Sequence, residues 1–212
     1  MKTVELAALF MLIVTVSFLG FVVENLWLCL TKGYIDNRNM CLPFLIGYGL
    51  AVVAIHILFG TPSQLMLLGK KLSIRNKVVK GVFYFLMMFV CVCVGEIVLG
   101  TLVEKTCHFY WWDYSKLPLH ITRYTSIPTS TAFAGMIVIF MDYIYEPLYM
   151  SFMRWESETL CRIAPVMMLS LLADYVYNAY RMYKDKKMTP RWRIDTTGTK
   201  GYQLLHCFGA GR

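Results

Sequence analysis

The stretch GEIVLGTLVEKTCHFYWWDYS, residues 95–115, decides the class of protein. It ends a long apolar run that carries two glutamates, Glu96 and Glu104, and it closes in an aromatic cluster around Asp113. A carboxylate surrounded by hydrocarbon is costly unless it is paired, protonated or hydrated, so ionisable residues in such runs are functional candidates.

The composition of the whole chain agrees with a membrane protein. Of its 212 residues, 58% are hydrophobic and only 16% are charged, whereas soluble domains carry about 25% charged residues. The apolar residues fall in blocks of about twenty, the length that crosses roughly 30 Å of hydrocarbon. We predict an all-α, polytopic helical membrane protein with about five transmembrane helices.

The chain divides into predicted spans at 4–30, 42–60, 82–106, 129–153 and 163–180. Pro147 is expected to kink or end the fourth span, because proline cannot donate a helical hydrogen bond. The fifth is the weakest, since it contains Pro165, Asp174 and Asn178. We predict a single transmembrane domain over residues 1–183 and a short basic C-terminal tail over 184–212.

The net charge of +8 comes from basic residues between and after the apolar blocks. Topology and anionic lipid headgroups explain this pattern better than nucleic acid, which is not a predicted partner. Five spans place the basic loop 61–81 and the basic tail on opposite faces. Four spans would place both in the cytoplasm, with the fifth candidate lying in the interface. We favour five and leave the orientation open.

Cofactor and metal sites are not predicted. The seven cysteines include no C-x-x-C pair, and the histidines are scattered along the chain. These patterns do not match the spacing of structural zinc ligands.

Four acidic residues are predicted to share one half of the membrane. The loops after the first and third spans emerge on the same face. From the helical rise, Glu24 lies about 10 Å below that face and Glu96 about 15 Å below it, with Glu104 near the surface and Asp174 about 10–15 Å deep. The candidate substrate- or ion-binding residues of this half are Glu24, Asn37, Arg38, Glu96, Glu104, Trp112, Asp113, Tyr114, Arg123 and Asp174.

A structural role for the same residues is the competing interpretation. The acids could pair with Arg38 or Arg123, or accept hydrogen bonds from tyrosines, and so hold helices together. The tryptophans and tyrosines of residues 110–114 could form an interfacial aromatic belt.

Several motifs together resemble one bacterial membrane protein family. They are Ser17-Phe18-Leu19-Gly20 with Glu24, Asn37-Arg38, Pro43, Tyr48-Gly49, Glu96, Glu104, Trp111-Trp112-Asp113-Tyr114-Ser115 with Pro118, and Pro147-Leu148. The chain is similar in these residues to the putative ABC-transporter type IV, or CmpB-like, integral membrane family. The resemblance implies transport. Because the chain lacks a Walker A loop, any ATP would be hydrolysed by a partner.

Three functions follow from these observations. The first is a transporter or permease-like protein whose carboxylates bind a cation, a proton or a polar substrate. The second is an intramembrane enzyme that acts on a lipid or prenyl substrate by carboxylate acid/base chemistry, with Arg38 holding a phosphate. The third is a non-catalytic membrane subunit or assembly factor that docks through Gly95 and Gly100.

The expected surroundings of the chain follow from the same reasoning. We expect the chain to lie in the plasma membrane, in contact with membrane lipid and with a second copy of itself or a partner membrane subunit or ATPase.

The chain also contains a weak internal similarity. The sequences Val22-Val23-Glu24 and Leu102-Val103-Glu104 are alike, which indicates two related halves.

Overall fold

A computed structural model describes residues 2–197 and the backbone of 202–204. Most of the described chain is helical, with short strands in the loops. The helices are α1 (Lys2–Lys32), α2 (Ile46–Phe59), α3 (Lys77–Cys107), α4 (Ile127–Ile139), α5 (Tyr145–Met153) and α6 (Ser157–Asp185). The strands are β1 (Tyr34–Asp36), β2 (Met66–Leu67), β3 (Lys70–Lys71), β4 (His120–Thr122), β5 (Thr125–Ser126), β6 (Trp192–Asp195) and β7 (Tyr202–Leu204).

The chain folds as two compact units. Unit 1 comprises residues 1–51 and 152–212, and unit 2 comprises residues 52–151. Unit 1 therefore holds α1 and α6, whereas unit 2 holds α3 and α4.

In unit 1, α1 and α6 pack side by side and run in the same direction. Thr3 and Leu6 at the start of α1 line a small cavity with Cys161 and Pro165 at the start of α6. At the other end, β1 pairs antiparallel with β6, which in turn pairs with β7. Part of the predicted basic tail is thus a strand that ties the end of α6 to the end of α1.

Helix α3 of unit 2 has a cap at each end. The side chain of Asn76 accepts hydrogen bonds from the backbone N–H groups of Val78 and Val79, which no helical carbonyl can reach. At the C-terminal end, His108 adopts a left-handed conformation with φ of 59°, and its N–H donates to the carbonyl of Glu104. These caps fix where Glu104 lies relative to the loop that follows.

The fourth predicted span is one continuous helical rod, and Pro147 does not end it. The rod runs from Ile127 to Met153 and contains a π-helical turn at Phe140–Ile144. Proline cannot donate to the preceding turn and clashes with the carbonyl four residues before it. The wider π turn lies directly N-terminal to the proline and relieves this crowding.

The prediction of a helical polytopic membrane protein is confirmed. Among the described residues, four helical rods are long and apolar enough to cross a membrane: Lys2–Lys32, Lys77–Cys107, Ile127–Met153 and Ser157–Asp185. The weakest predicted span is therefore one of the long ones, α6, and the short one is α2 with 14 residues.

The strands β1 and β6 follow α1 and α6, and their pairing places the ends of both helices on the same side of unit 1. If α3 and the α4–α5 rod each cross the membrane once between α1 and α6, α2 is predicted to supply one further crossing. At about 21 Å, α2 is shorter than the bilayer core, which short helices accommodate by local thinning.

Candidate functional site

The ten predicted site residues divide between the two units. Glu24, Asn37, Arg38 and Asp174 lie in unit 1, and Glu96, Glu104, Trp112, Asp113, Tyr114 and Arg123 lie in unit 2. Each unit has a polar centre of its own, built around one glutamate near the C-terminal end of its first long helix. A single cluster of all four acids stays a prediction.

Glu24 is the centre of the polar group in unit 1. The hydroxyl of Tyr48 donates to its Oε1 at 2.5 Å, and the guanidinium of Arg38 approaches its Oε2 at 3.3 Å. Arg38 also lies 3.9 Å from the carboxylate of Asp36. The charge of Glu24 is therefore compensated within its own unit.

The loop that presents Arg38 is held in an unusual backbone conformation. Arg38 and Asn39 have positive φ angles of 48° and 64°, and the carboxylate of Asp36 accepts the N–H of Arg38. Asn37 is buried; its side chain donates to the carbonyl of Met40 and accepts the N–H of Arg191. The side chain of Asn37 thus shapes the loop, and its role in binding stays a prediction.

Asp174 holds the next part of the same loop. Its carboxylate accepts the backbone N–H groups of Cys41 at 3.0 Å and Leu42 at 3.1 Å, together with the side-chain amide of Asn178 at 2.8 Å. Only 9% of Asp174 is exposed. Three of its roughly four acceptor positions are occupied by protein donors, which favours the structural interpretation for this residue. Burial, with the hydrogen bond to Asp174, raises the pKa of the nearby Cys41 thiol.

Glu104 is the centre of the polar group in unit 2. The hydroxyl of Tyr124 donates to its Oε2. Tyr124 is 6% exposed, and burial together with this hydrogen bond raises its pKa to about 12. The indole N–H of Trp112 donates to the carbonyl of Tyr124 at 2.8 Å. Trp112 therefore fixes the backbone position of Tyr124.

The loop before α4 carries the remaining aromatic and charged candidates. Asp113 accepts the N–H of Ser115, and the hydroxyl and N–H of Ser115 keep the pKa of Asp113 below its usual value. The N–H of Tyr114 donates to the carbonyl of Arg123. The guanidinium of Arg123 is exposed and lies 4.0 Å from the centre of the Tyr110 ring. In the described part of the chain, Arg123 makes no ion pair with Glu104.

Glu96 belongs to a chain of hydroxyl groups at the start of α4. It accepts the hydroxyl of Ser130 at 3.0 Å, and Ser130 is hydrogen-bonded to Thr125 at 2.7 Å. Both hydroxyl residues are fully buried. Glu96 is thus partnered, by groups that could also carry a proton.

The two centres are built in the same way. In each, a glycine one turn before the glutamate packs against the tyrosine that donates to that glutamate. A Cβ on Gly20 would lie 2.5 Å from Cγ of Tyr48, and one on Gly100 would lie 2.9 Å from Cε1 of Tyr124 and closer still to other ring atoms. The matching sequences are LGFVVE at 19–24 and LGTLVE at 99–104. The weak internal similarity therefore reflects a repeated structural motif, which we call the Gly–Glu–Tyr motif.

Sequence reasoning missed the two tyrosines of this motif as site residues. Tyr48 follows its glutamate by 24 residues and Tyr124 follows its own by 20. Each stands close to the start of the next helix. A tyrosine at a similar distance after each repeated glutamate was the available signal.

Comparison with known proteins gives one match. The family described as putative ABC-transporter type IV matches residues 11–179. The chain belongs to this family. The matched range includes both Gly–Glu–Tyr motifs and Asp174. No curated protein and no solved structure matches the chain.

The side chains at these centres present carboxylate and hydroxyl oxygens and aromatic rings. Within the described residues, no group of three or more His, Cys, Asp and Glu side chains lies close enough to hold a metal ion. A carboxylate with one tyrosine donor can accept a proton, or pair with a cation that approaches its other oxygen.

Proposed function

We propose that this integral membrane protein is transporter- or permease-like and binds a cation or a proton at Glu104, near one face of the plasma membrane. The family name is that of a transporter, and the apolar helices fit a membrane protein.

One observation carries the proposal: the same motif occurs twice, but among the described residues the glutamate of only one copy forms an ion pair. In unit 1 the guanidinium of Arg38 pairs with Glu24. Two residues after the corresponding aspartate, unit 2 has Ser115 in place of arginine; in both loops the aspartate accepts the N–H of that residue. Among the described residues, the Glu104 carboxylate accepts a hydrogen bond from Tyr124 and forms no ion pair. A bound cation or proton would therefore complete the second copy as Arg38 completes the first.

The electrostatic cost of an uncompensated carboxylate supports this assignment. An ionised acid within a membrane helix is expensive unless it is paired, protonated or hydrated. The nearby guanidinium of Arg123 stacks on Tyr110 and would be a mobile counterion for Glu104 when no ligand is bound. The aromatic residues around Tyr124 would then limit access of water to the site.

The enzyme alternative is less well supported by the same contacts. It requires Arg38 to hold a phosphate, and Arg38 is already engaged by Glu24 and Asp36. Asp174, which would supply a second acid or base, accepts three hydrogen bonds from protein groups.

The repeat supplies a matched control for the test. Purified protein would be reconstituted in liposomes, and fluxes of H⁺, Na⁺, K⁺ and guanidinium would be measured under imposed gradients. We expect flux of at least one of these ions, and we expect Glu104→Gln to lower it at least about tenfold, the effect of losing roughly 1.4 kcal/mol of binding. Glu24→Gln should retain most of the flux in protein that remains folded.

A second matched pair removes only a hydroxyl from each motif. Tyr124→Phe should reduce the flux, whereas Tyr48→Phe should leave it largely unchanged. Equal flux in wild type and Glu104→Gln would reject the proposal. Equal losses of flux in the two glutamate variants would instead assign both motifs to stability. The absence of flux for every ion tested would also reject the proposal.

A further inference from the structure

Asp142 lies near the middle of a membrane-spanning rod and outside the site proposed above. The rod Ile127–Met153 has 27 residues and is therefore about 40 Å long, which puts Asp142 within about 3 Å of its midpoint. Asp142 is exposed, and so is Glu146 one turn later. An acid at this depth normally faces a protein interior or a counterion, not lipid.

The backbone around Asp142 is also specialised. Asp142 is the third residue of the π turn Phe140–Ile144. Such turns widen the helix and frequently occur at functional positions. The neighbouring side chains on the rod are large and exposed: Ile139 is 58% and Tyr143 is 70% exposed. The acid thus lies within an apolar surface that another helix could cover.

The described membrane helices carry no lysine or arginine near their middle. Their basic residues are close to helix ends: Lys2 and Lys32 in α1, Lys77, Lys80 and Lys105 in α3, and Arg162, Arg181 and Lys184 in α6. The α4–α5 rod has none. A described helix of this chain, or of a second copy, would therefore bring its lysines and arginines towards the membrane faces and not to the bilayer centre.

Two titratable groups of unit 2 interact electrostatically with the acids of this surface: His56 with Glu146, and the buried Tyr84 with Asp142. The His56 ring stacks on Tyr145 with a centre-to-centre distance of 4.3 Å, and its Nδ1 has no hydrogen-bond partner among the described residues. The ring is half-buried against Tyr145 of its own unit, which disfavours its pairing with Asp142 of a second copy.

We propose that the Asp142 face, defined by Ile139, Asp142, Tyr143 and Glu146, docks a membrane helix of a different protein that carries a lysine or arginine near the bilayer centre. Charge complementarity selects this partner, because a basic residue brought by another chain would pair with the exposed acid and remove the cost of its charge. Glu146, one turn from Asp142, would stay close enough to contact the same basic side chain.

A designed helix provides a direct probe of this interaction. Fluorescently labelled wild-type protein would be placed in phosphatidylcholine liposomes with a synthetic Leu/Ala transmembrane peptide that carries one central lysine. Energy transfer between protein and peptide reports association. We expect association with the lysine peptide to be at least about tenfold tighter than with the same peptide carrying leucine, in line with interhelical polar contacts in membranes.

Variants of the protein then assign the effect to the proposed face. Asp142→Asn should reduce the preference for the lysine peptide to nearly none. Glu158→Gln is the control, because Glu158 is an exposed acid at the beginning of α6, where it pairs with Arg162. That variant should behave as wild type.

Three results would overturn the proposal. The wild-type protein could bind the lysine and leucine peptides with equal affinity. This comparison uses only wild-type protein, so it does not depend on whether a variant folds. Asp142→Asn could retain the preference for lysine. Photobleaching of single liposomes could also show dimers of the chain that are lost in Asp142→Asn, which would assign the face to a second copy. Ion flux through the Glu104 site is a separate measurement, so the two proposals can fail independently.

Discussion

Replacing Gly100 with alanine tests whether the Gly–Glu–Tyr motif of unit 2 is as tightly packed as its geometry indicates. The added Cβ would lie 2.9 Å from Cε1 of Tyr124 and closer to other atoms of the ring. The ring must move, and its hydroxyl must then leave Glu104. Trp112, which donates to the Tyr124 carbonyl, limits how far the loop can adjust.

The expected loss of stability combines opposing effects. Overpacking costs about 1–3 kcal/mol, and weakening a hydrogen bond to a charged group costs about 1.5–3 kcal/mol. Replacing a helical glycine by alanine returns at most about 1 kcal/mol. We therefore expect Gly100→Ala to lower the free energy of unfolding by about 1.5–5 kcal/mol.

Gly95→Ala is the control on the same helix. A Cβ at Gly95 meets no atom within 4 Å, so this variant should be as stable as wild type or gain up to about 1 kcal/mol. The assay is thermal unfolding in detergent, followed by circular dichroism and by tryptophan fluorescence.

The motif of unit 1 allows the comparison to be repeated. Gly20→Ala should be destabilised, because its Cβ would lie 2.5 Å from Cγ of Tyr48, whereas a Cβ at Gly47 meets nothing within 4 Å. Equal unfolding temperatures for Gly100→Ala and Gly95→Ala would refute the reasoning.

Two further predictions follow from groups in the loops outside the membrane. Burial and Asp174 raise the pKa of the Cys41 thiol, so alkylation of Cys41 by iodoacetamide should need a pH above the usual thiol range, and Asp174→Asn should speed the alkylation at neutral pH. Peptide mass spectrometry measures the extent of alkylation. A midpoint of the pH–rate profile at or below 9.0 would contradict the raised pKa. Tyr124 has a pKa of about 12, so the folded state favours the neutral phenol, and its stabilisation should be complete below about pH 10 and be lost as the pH rises towards about 12. The tyrosinate absorbance of wild type minus that of Tyr124→Phe, plotted against pH, should show the ionisation of Tyr124. A midpoint of this difference curve near pH 10 would exclude the raised pKa.

Much of the fold was predictable because membrane insertion is a property of local composition. Blocks of about twenty apolar residues require helices. The family motifs, without any structure, indicated Glu24 and Glu104 as candidate site residues. The bounds and continuity of the helices were less accessible. Pro147 is tolerated because a π turn precedes it, and α2 is shorter than the apolar block that contains it.

The roles of the acids could not be read from spacing along the chain. Asp174 accepts backbone N–H groups 133 and 132 residues away, and strand β6 of the basic tail pairs with β1 at the other end of the chain. Contacts over such distances depend on how the helices pack, which local composition does not encode.

The sequence by itself determined that this is a helical membrane protein of one family, with acids in costly positions, because hydrocarbon acts on every residue separately. Only the tertiary structure decided which acids are already compensated. Glu24 has Arg38, Asp174 has three N–H donors, and Glu104 has Tyr124 without an ion pair in the described residues. The physical reason is that charge compensation needs two groups within a few ångströms, and folding alone sets that distance.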